Sequence, residues 1–407
     1  MNEGKWVRIK SRGAEFEGIV MPSSTDSLVL KLDNGYNIGL TDYEVLEVAD
    51  VERKVFSPPE PEKKDELPTV KIISTGGTIA SKVDYRTGAV TSQFSAEEIA
   101  GDVPEILDIC NVDAELLFNI LSENMNPQRW VELAGEVYTA IKEGYEGIIV
   151  THGTDTMGFS ASALAFMLST PVPVVFVGSQ RSSDRPSSDA AVNLICAAKT
   201  ATSDLGEVAV VMHGTTSDDF CYIHRGVKVK KCHTSARYAF QPINKPPLGK
   251  VDPHSKEITW ISHRIKRNER ELSLANRMEE KVALVKFYPG LKPDIMDHYH
   301  EKGYRGFVIE GTGLGHTSID WVDTLTRICQ DSVVVMTSQC VHGRVCDRVY
   351  DTGRDLLKAG VIEGEDMLPE VALIKLMWLL GNYDVEQAKQ LITANLVGEI
   401  NPSTTYI

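Results

Sequence analysis

Long apolar runs are missing from this chain. No stretch of its 407 residues approaches the roughly 18 uninterrupted apolar positions that a membrane span needs. The opening Met1-Asn2-Glu3-Gly4-Lys5-Trp6 carries no apolar h-region of a signal peptide. Seven cysteines occur without paired spacing, which predicts reduced thiols in a cytoplasm rather than a disulfide scaffold. Basic charge is short as well: 42 Lys+Arg against 57 Asp+Glu give a formal charge of −15. That balance argues against wholesale coating of nucleic acid, which needs a basic face, and leaves open a local basic patch or a partner that carries the nucleic acid. Neither phosphate-cradling fingerprint, G-x-x-x-x-G-K-[ST] or G-x-G-x-x-G, is present.

What is present is the composition of a soluble globular protein with a sizeable core, 42% apolar and 24% charged. Its length suggests two or three domains. Residues 1–56 alternate in the strand manner, as in Trp6-Val7-Arg8-Ile9-Lys10, Glu17-Gly18-Ile19-Val20 and Leu28-Val29-Leu30-Lys31-Leu32, with Asp33-Asn34-Gly35 as a hairpin turn. They predict a small β-barrel of SH3-like size. Residues 57–68, starting Ser57-Pro58-Pro59-Glu60-Pro61, read as a solvated linker. From Thr69 apolar strands alternate with helical stretches such as Trp130–Ile141. The strands are Val70–Ile73, Gly147–Val150, Val172–Val177 and Val208–Met212, the βαβ signature of a doubly wound, mostly parallel sheet. A polar, basic stretch from Ser262 to Arg277 leads to a smaller C-terminal α/β unit with strands Val282–Val285, Gly306–Ile309 and Val333–Met336 and a helix Pro369–Gly381. The domains are therefore placed at 69–270 and 271–407.

Two threonine turns carry the chemistry, Thr75-Gly76-Gly77-Thr78 and His152-Gly153-Thr154-Asp155-Thr156, each after a β-branched run. In a parallel sheet both emerge at the carboxyl ends of strands, where such folds place ligands. The glycine pair lets a substrate approach the backbone and frees amide N–H groups for an oxyanion. In the second turn a hydroxyl, Thr154, stands beside a carboxylate, Asp155, that can bind an α-ammonium. Helix capping by Thr78, Asp155 or Thr156 is the plainer alternative. The lysine-dense run Arg225–Thr234 is either a solvated face or the source of one desolvated lysine that accepts a proton through Thr154. In the run Ser179–Asp189, Arg181 or Arg185 could hold a carboxylate, or the run could be a well-capped loop. The segment Cys340–Cys346 lacks a fourth ligand at standard zinc spacing. His298 and His300 could share a strand face around Tyr299, or be an exposed pair. Arg264, Lys266, Arg267 and Arg270 would serve an RNA-binding rival reading.

With Ile79-Ala80 completing the first, the two turns resemble the paired signatures of the L-asparaginase/glutaminase amidohydrolases, over about residues 69 to 407. The resemblance implies an asparaginase-type fold and no cofactor or metal on this chain. It makes Thr78 the acyl-forming nucleophile, with Thr154, Asp155 and a lysine as the activating group; counting back from Thr234-Ser235 and Phe240 favours Lys231 over Lys230 and Lys228. Ser122, in Leu121-Ser122-Glu123-Asn124-Met125, matches the serine that holds the substrate α-carboxylate. Glu123 stands where free-standing members commonly have glutamine, at the ammonium contact, and Tyr85 lies where the family has a closing loop tyrosine.

The barrel segments Glu17–Pro22 and Lys31–Gly39, with Ser179–Arg185 and Gly364–Pro369, are similar to one branch of this family, a component of archaeal-type tRNA-dependent amidotransferases. That branch implies a glutaminase in the cytoplasm, a homodimeric core within a heterotetramer, and a second subunit that binds tRNA. The second subunit would use ATP and Mg to activate glutamyl-tRNA(Gln) and take up the ammonia. The alternative is a free-standing L-asparaginase/glutaminase.

Overall fold

The computed structural model describes residues 3–23, 27–32, 36–49, 63–77, 81–83, 90–92, 96–182 and 187–404. Strands β1 (Trp6–Ser11), β2 (Ala14–Met21), β3 (Leu28–Leu32), β4 (Asn37–Leu40) and β5 (Glu44–Ala49) form one antiparallel sheet in the order β4-β3-β2-β1-β5. Alternation sets its inner face: Val7, Ile9, Val20, Leu28 and Leu30 are buried together. Arg12 and Gly13, both at positive φ, close the β1–β2 hairpin between Ser11 and Ala14. The Asp33-Asn34-Gly35 turn lies outside the described residues, but β3 and β4 on either side of it pair antiparallel.

The central sheet begins with β6 (Thr69–Gly76). A small hairpin follows, β7 (Ser81–Val83) with β8 (Val90–Ser92). Helix α1 (Ala96–Asp102) leads to β9 (Asn111–Ile120), and α2 (Pro127–Lys142) leads to β10 (Gly147–Thr151). The sequence fits α2 closely: Asn126 caps it by accepting from the Arg129 amide at 3.0 Å, and Pro127 opens it. Its buried face, Trp130, Leu133, Ala134, Val137, Ala140 and Ile141, keeps helical spacing. Helix α3 (Met157–Met167), β12 (Val174–Val177), α4 (Ala190–Ala201) and β13 (Val208–His213) complete the parallel part, and the short β11 (Leu168–Ser169) between α3 and β12 lies outside that sheet. An antiparallel edge follows: β14 (Cys221–Arg225), β17 (Gly249–Val251) and β18 (Ile258–Trp260). Strands β15 (Val229–Lys231) and β16 (Phe240–Pro242) form a separate ribbon.

Sheet order is β18-β17-β14-β13-β12-β10-β6-β9. From β6 the chain moves outward to β9; from β10 it moves the other way, to β12 and β13. The carboxyl ends of β6 and β10 therefore flank the switch point of the sheet, where open α/β folds form a crevice. Both faces are covered, which is why the strands read as unbroken apolar runs. Val70, Ile72 and Ile149 face α1 and α4, whereas Ile73, Ile148 and Val150 face α2 and α3.

After β19 (Ser273–Leu274), which pairs with β11, comes a second parallel sheet. It comprises β20 (Val282–Lys286), β21 (Gly306–Gly311), β22 (Val333–Ser338) and β23 (Ile362–Glu363). Helices α5 (Asp294–Glu301), α6 (Val322–Ile328), α7 (Asp351–Lys358), α8 (Pro369–Asn382) and α9 (Val385–Leu391) accompany it. Helix α8 packs on α3, and one apolar cluster runs from α2 and α3 through α8 and α9 to Val308 and Val335. Among the described residues, no helix is long and apolar enough to cross a membrane.

Candidate functional site

The crevice is built from strand tips. Gly76 and Gly77, leaving β6, have φ +98° and +86°, conformations that disfavour any side chain. A Cβ on Gly77 would lie 2.5 Å from the Gly153 amide nitrogen, and one on Gly153 would meet Ser122 Cβ at 2.7 Å. The two turns thus touch backbone to backbone, with Ser122 beneath. Below them Thr75 Oγ1 donates to Thr151 O at 2.9 Å and Thr151 Oγ1 to Ser74 Oγ at 3.1 Å, lacing β6 to β10.

The second turn does not cap α3. Thr156 is the residue before that helix but makes no side-chain cap; its hydroxyl donates to Ser122 O at 2.6 Å. Thr154 and Asp155 turn instead to one cation: Lys231 Nζ donates to Thr154 Oγ1 at 2.8 Å and to Asp155 Oδ1 at 2.6 Å. Lys231 is mostly covered, its side chain 15% exposed, whereas that of Asp155 is 69% exposed and keeps a free edge for a ligand. Helix capping by Thr78 falls on a residue outside the described ones.

Among the three lysines, side-chain direction decides. The desolvated one is Lys228, whose ammonium is held below its ordinary range by burial, and it faces Asp366 at 2.8 Å. Lys230 pairs with Glu370 at 2.5 Å. Lys231 alone reaches Thr154. Ser122 is buried at the end of β9, opening the short turn Ser122–Asn124, and Glu123 beside it is exposed. Thr78 and Tyr85 lie outside the described residues.

His152 was not singled out by the sequence as a structural element, and it organises the turn. Its Nδ1 faces Gly153 O at 2.7 Å and must donate there. Its Nε2 then accepts from Ser160 Oγ at 2.8 Å, and that oxygen accepts from Trp130 Nε1 at 2.9 Å. Burial pushes the imidazole down to about 4, so the ring is neutral and locked in one tautomer. A neutral ring with both nitrogens engaged is a brace, not a proton shuttle.

Other sequence readings resolve. At the described ends of the Ser179–Asp189 run, Asp189 carboxylate oxygens accept from the Gln180 and Arg181 amides at 3.0 Å and Arg181 is exposed, while Arg185 lies outside the described residues. His298 and His300 sit on helix α5, not on a strand; His298 is exposed and His300 pairs with Asp331. Positions two apart on a helix do not share a face. Of the basic quartet, Arg264 holds Asp204 and stacks 4.0 Å over Trp260, Arg267 bonds the Ser203 and Glu146 carbonyls, and Arg270 bonds Leu396 O. Three of the four therefore make bonds within the fold. Among the described residues no group of three or more metal-ligating side chains converges.

A doubly wound sheet whose switch point holds two touching glycine turns and a Thr–Asp–Lys cluster, followed by a second parallel sheet, is the fold of the asparaginase class, as family comparison shows. Residues 69–266 match "Asparaginase, N-terminal", residues 281–392 match "Glutaminase/Asparaginase C-terminal domain", and residues 1–49 match "GatD N-terminal domain". Among solved structures the fold is similar to the thermostable L-asparaginase from Thermococcus kodakarensis, with TM-score 0.74, 31% identity, 82% of this chain and 100% of that one. It is also similar to L-asparaginase I from Vibrio cholerae, with TM-score 0.71, 26% identity, and coverage of 82% and 99%. Along its whole length the chain is 70% identical over 406 residues to the glutamyl-tRNA(Gln) amidotransferase D subunit of Archaeoglobus fulgidus, covering 99% of this chain and 96% of that one. The protein of the same name from Pyrococcus furiosus is 52% identical over 418 residues, covering 98% and 95%. The chain belongs to the family of glutamyl-tRNA(Gln) amidotransferase D subunits.

Proposed function

We propose that this chain is the glutamine-hydrolysing, ammonia-releasing subunit of a tRNA-dependent amidotransferase that converts glutamyl-tRNA(Gln) to glutaminyl-tRNA(Gln). The observation that carries this reading is the Lys231–Thr154–Asp155 cluster, set in the crevice that the Gly76-Gly77 turn enters. Thr78, next along that turn, attacks the side-chain amide carbonyl of glutamine, and its proton passes through Thr154 Oγ1 to Lys231 as the Lys231 ammonium gives one up to the leaving amide nitrogen. Backbone N–H groups around Thr78 or Thr154 stabilise the oxyanion, an effect commonly worth about 3–4 kcal/mol. The carbon–nitrogen bond breaks and ammonia leaves. Water then cleaves the γ-glutamyl ester and regenerates Thr78.

Asp155, with its free edge, holds the substrate ammonium, with Glu123 beside it; Ser122 orients the α-carboxylate and Tyr85 closes the site. A partner subunit activates the tRNA-bound glutamate with ATP and Mg and receives the ammonia in the cytoplasm. The same reading includes a homodimeric core within a heterotetramer; Tyr288, Ile319, Val349 and Tyr350, which follow β20, β21 and β22, are exposed apolar side chains that such an assembly could cover. Thr78→Ala should abolish ammonia release from glutamine while the fold and partner binding persist; near-normal turnover would remove the nucleophile assignment. Ammonia release should also require the partner and glutamyl-tRNA, and full activity of the chain alone would favour a free-standing asparaginase instead.

A further inference from the structure

We propose that the C-terminal domain positions the catalytic lysine: Lys228 and Asp366 are positioning residues that anchor the strand carrying Lys231, so that its ammonium stays on Thr154. The inference rests on the proposed role of Lys231 and goes beyond it. Among the described residues, strand β15 pairs only with β16, as a two-stranded ribbon outside the eight-stranded sheet, so the main ladder does not fix it. Val229 seats it in the apolar interior, and two of its polar side-chain anchors come from the other domain. Lys228 Nζ donates to Asp366 Oδ2 at 2.8 Å and to Asp366 O at 3.2 Å, with the two side chains 3% and 4% exposed. Asp366 is fixed in turn by the Asn401 amide at 2.8 Å and Asn401 Nδ2 at 2.7 Å. Two residues along, Lys230 bonds Glu370 in the first turn of α8. Lys231 is the one prong of the three aimed back at the crevice.

The lysine-dense run and the Gly364–Pro369 segment are thereby two halves of one clamp. Buried and multiply bonded, the Lys228–Asp366 joint resists sliding, and Lys231 lies only three residues beyond it. Misplacement of a catalytic group by about 1 Å can cost on the order of 100-fold in rate.

The test compares Lys228→Met with Glu399→Gln in the full chain assembled with its partner subunit, reading ammonia release from glutamine in the presence of glutamyl-tRNA. Glu399→Gln breaks the Lys375–Glu399 pair, 2.7 Å and fully buried in the same domain, with no bond to β15. Both variants should lose thermal stability. Lys228→Met should lower kcat at least tenfold with KM within threefold, whereas Glu399→Gln should keep kcat within twofold. Should Lys228→Met fail to fold, Lys230→Met, which removes a partly exposed anchor of the same strand, should lower kcat about threefold at unchanged KM. Unchanged kcat in the folded anchor variants, or activity lost in proportion to stability in anchor and control alike, overturns the proposal. Lys231→Met separates the two readings: full activity there removes the role of Lys231 itself, while an inactive Lys231→Met beside a normal Lys228→Met removes only the clamp.

Discussion

Lys231→Met separates chemistry from architecture better than any other single change. Met keeps the unbranched stem and deletes only the ammonium, with its bonds to Thr154 at 2.8 Å and Asp155 at 2.6 Å. The stability effect is small by the geometry of the pair. Asp155 is 69% exposed, so solvent screens the ion pair into the range of about 0–1 kcal/mol measured for exposed pairs. The Thr154 bond adds about 1 kcal/mol. The rate effect is larger, since positioned general acid–base groups contribute about 10²–10⁴-fold, equivalent to about 2.7–5.4 kcal/mol of barrier. Ammonia release by the assembled complex at saturating glutamine should therefore fall at least 100-fold, with an unfolding midpoint within a few degrees of the parent. A kcat within threefold of the parent, in a variant that folds normally, would refute proton transfer through Lys231. A change confined to KM would make the lysine a binding group.

Gly77→Ala should nearly abolish activity and lower stability: the left-handed backbone alone costs about 1–2 kcal/mol for a side chain, and the added methyl would press the Gly153 backbone away. Thermal melts beside kcat would show it, with Gly135→Ala, where a Cβ meets nothing within 4 Å, as the control that stabilises α2 by about 0.5–1 kcal/mol. His224, fully buried with neither ring nitrogen bonded, is pushed down to about 3 by burial. The unfolded chain takes up a proton below pH 6.5 that the folded ring refuses, so stability falls as pH drops, by about 2 kcal/mol at pH 5 from this residue. In urea melts His224→Phe should remove that share of the decline between pH 7 and 5; an unchanged slope would show that the imidazole charges within the fold. Asp347 behaves oppositely. Burial, then Glu363, pushes its carboxyl up to about 7, and neither side-chain oxygen has a partner. Its unfolded form ionises from about pH 3.8, so folding loses stability as pH rises from there toward 7. Asp347→Asn should therefore gain more in midpoint at pH 8 than at pH 4, and an equal gain at both would contradict a raised carboxyl.

The strands legible in the sequence were those buried on both faces. Val70–Ile73 and Gly147–Val150 announce themselves because a parallel sheet asks for unbroken β-branched runs, and Pro369 marks the start of α8 by its own backbone chemistry. Residues whose meaning depends on distant partners were harder. Nothing local separates Lys228, Lys230 and Lys231; their roles are set by Asp366, Glu370 and Thr154, between 77 and 140 positions away. The brace under the second turn links His152 to Ser160 and Trp130 through geometry alone. His298 and His300 misled because α5 is only eight residues long and buries one side chain, Met296, too few to show a helical period.

The apolar cluster shared by α3 and α8 has a consequence for how this molecule can move. Because side chains of both α/β domains interlock in one continuous interior, neither can swing against the other without opening that interior to water, and the two should melt in a single cooperative step. Motion during turnover is left to the strand-tip loops around the crevice, and an opening of the site by domain swivel is closed to this architecture.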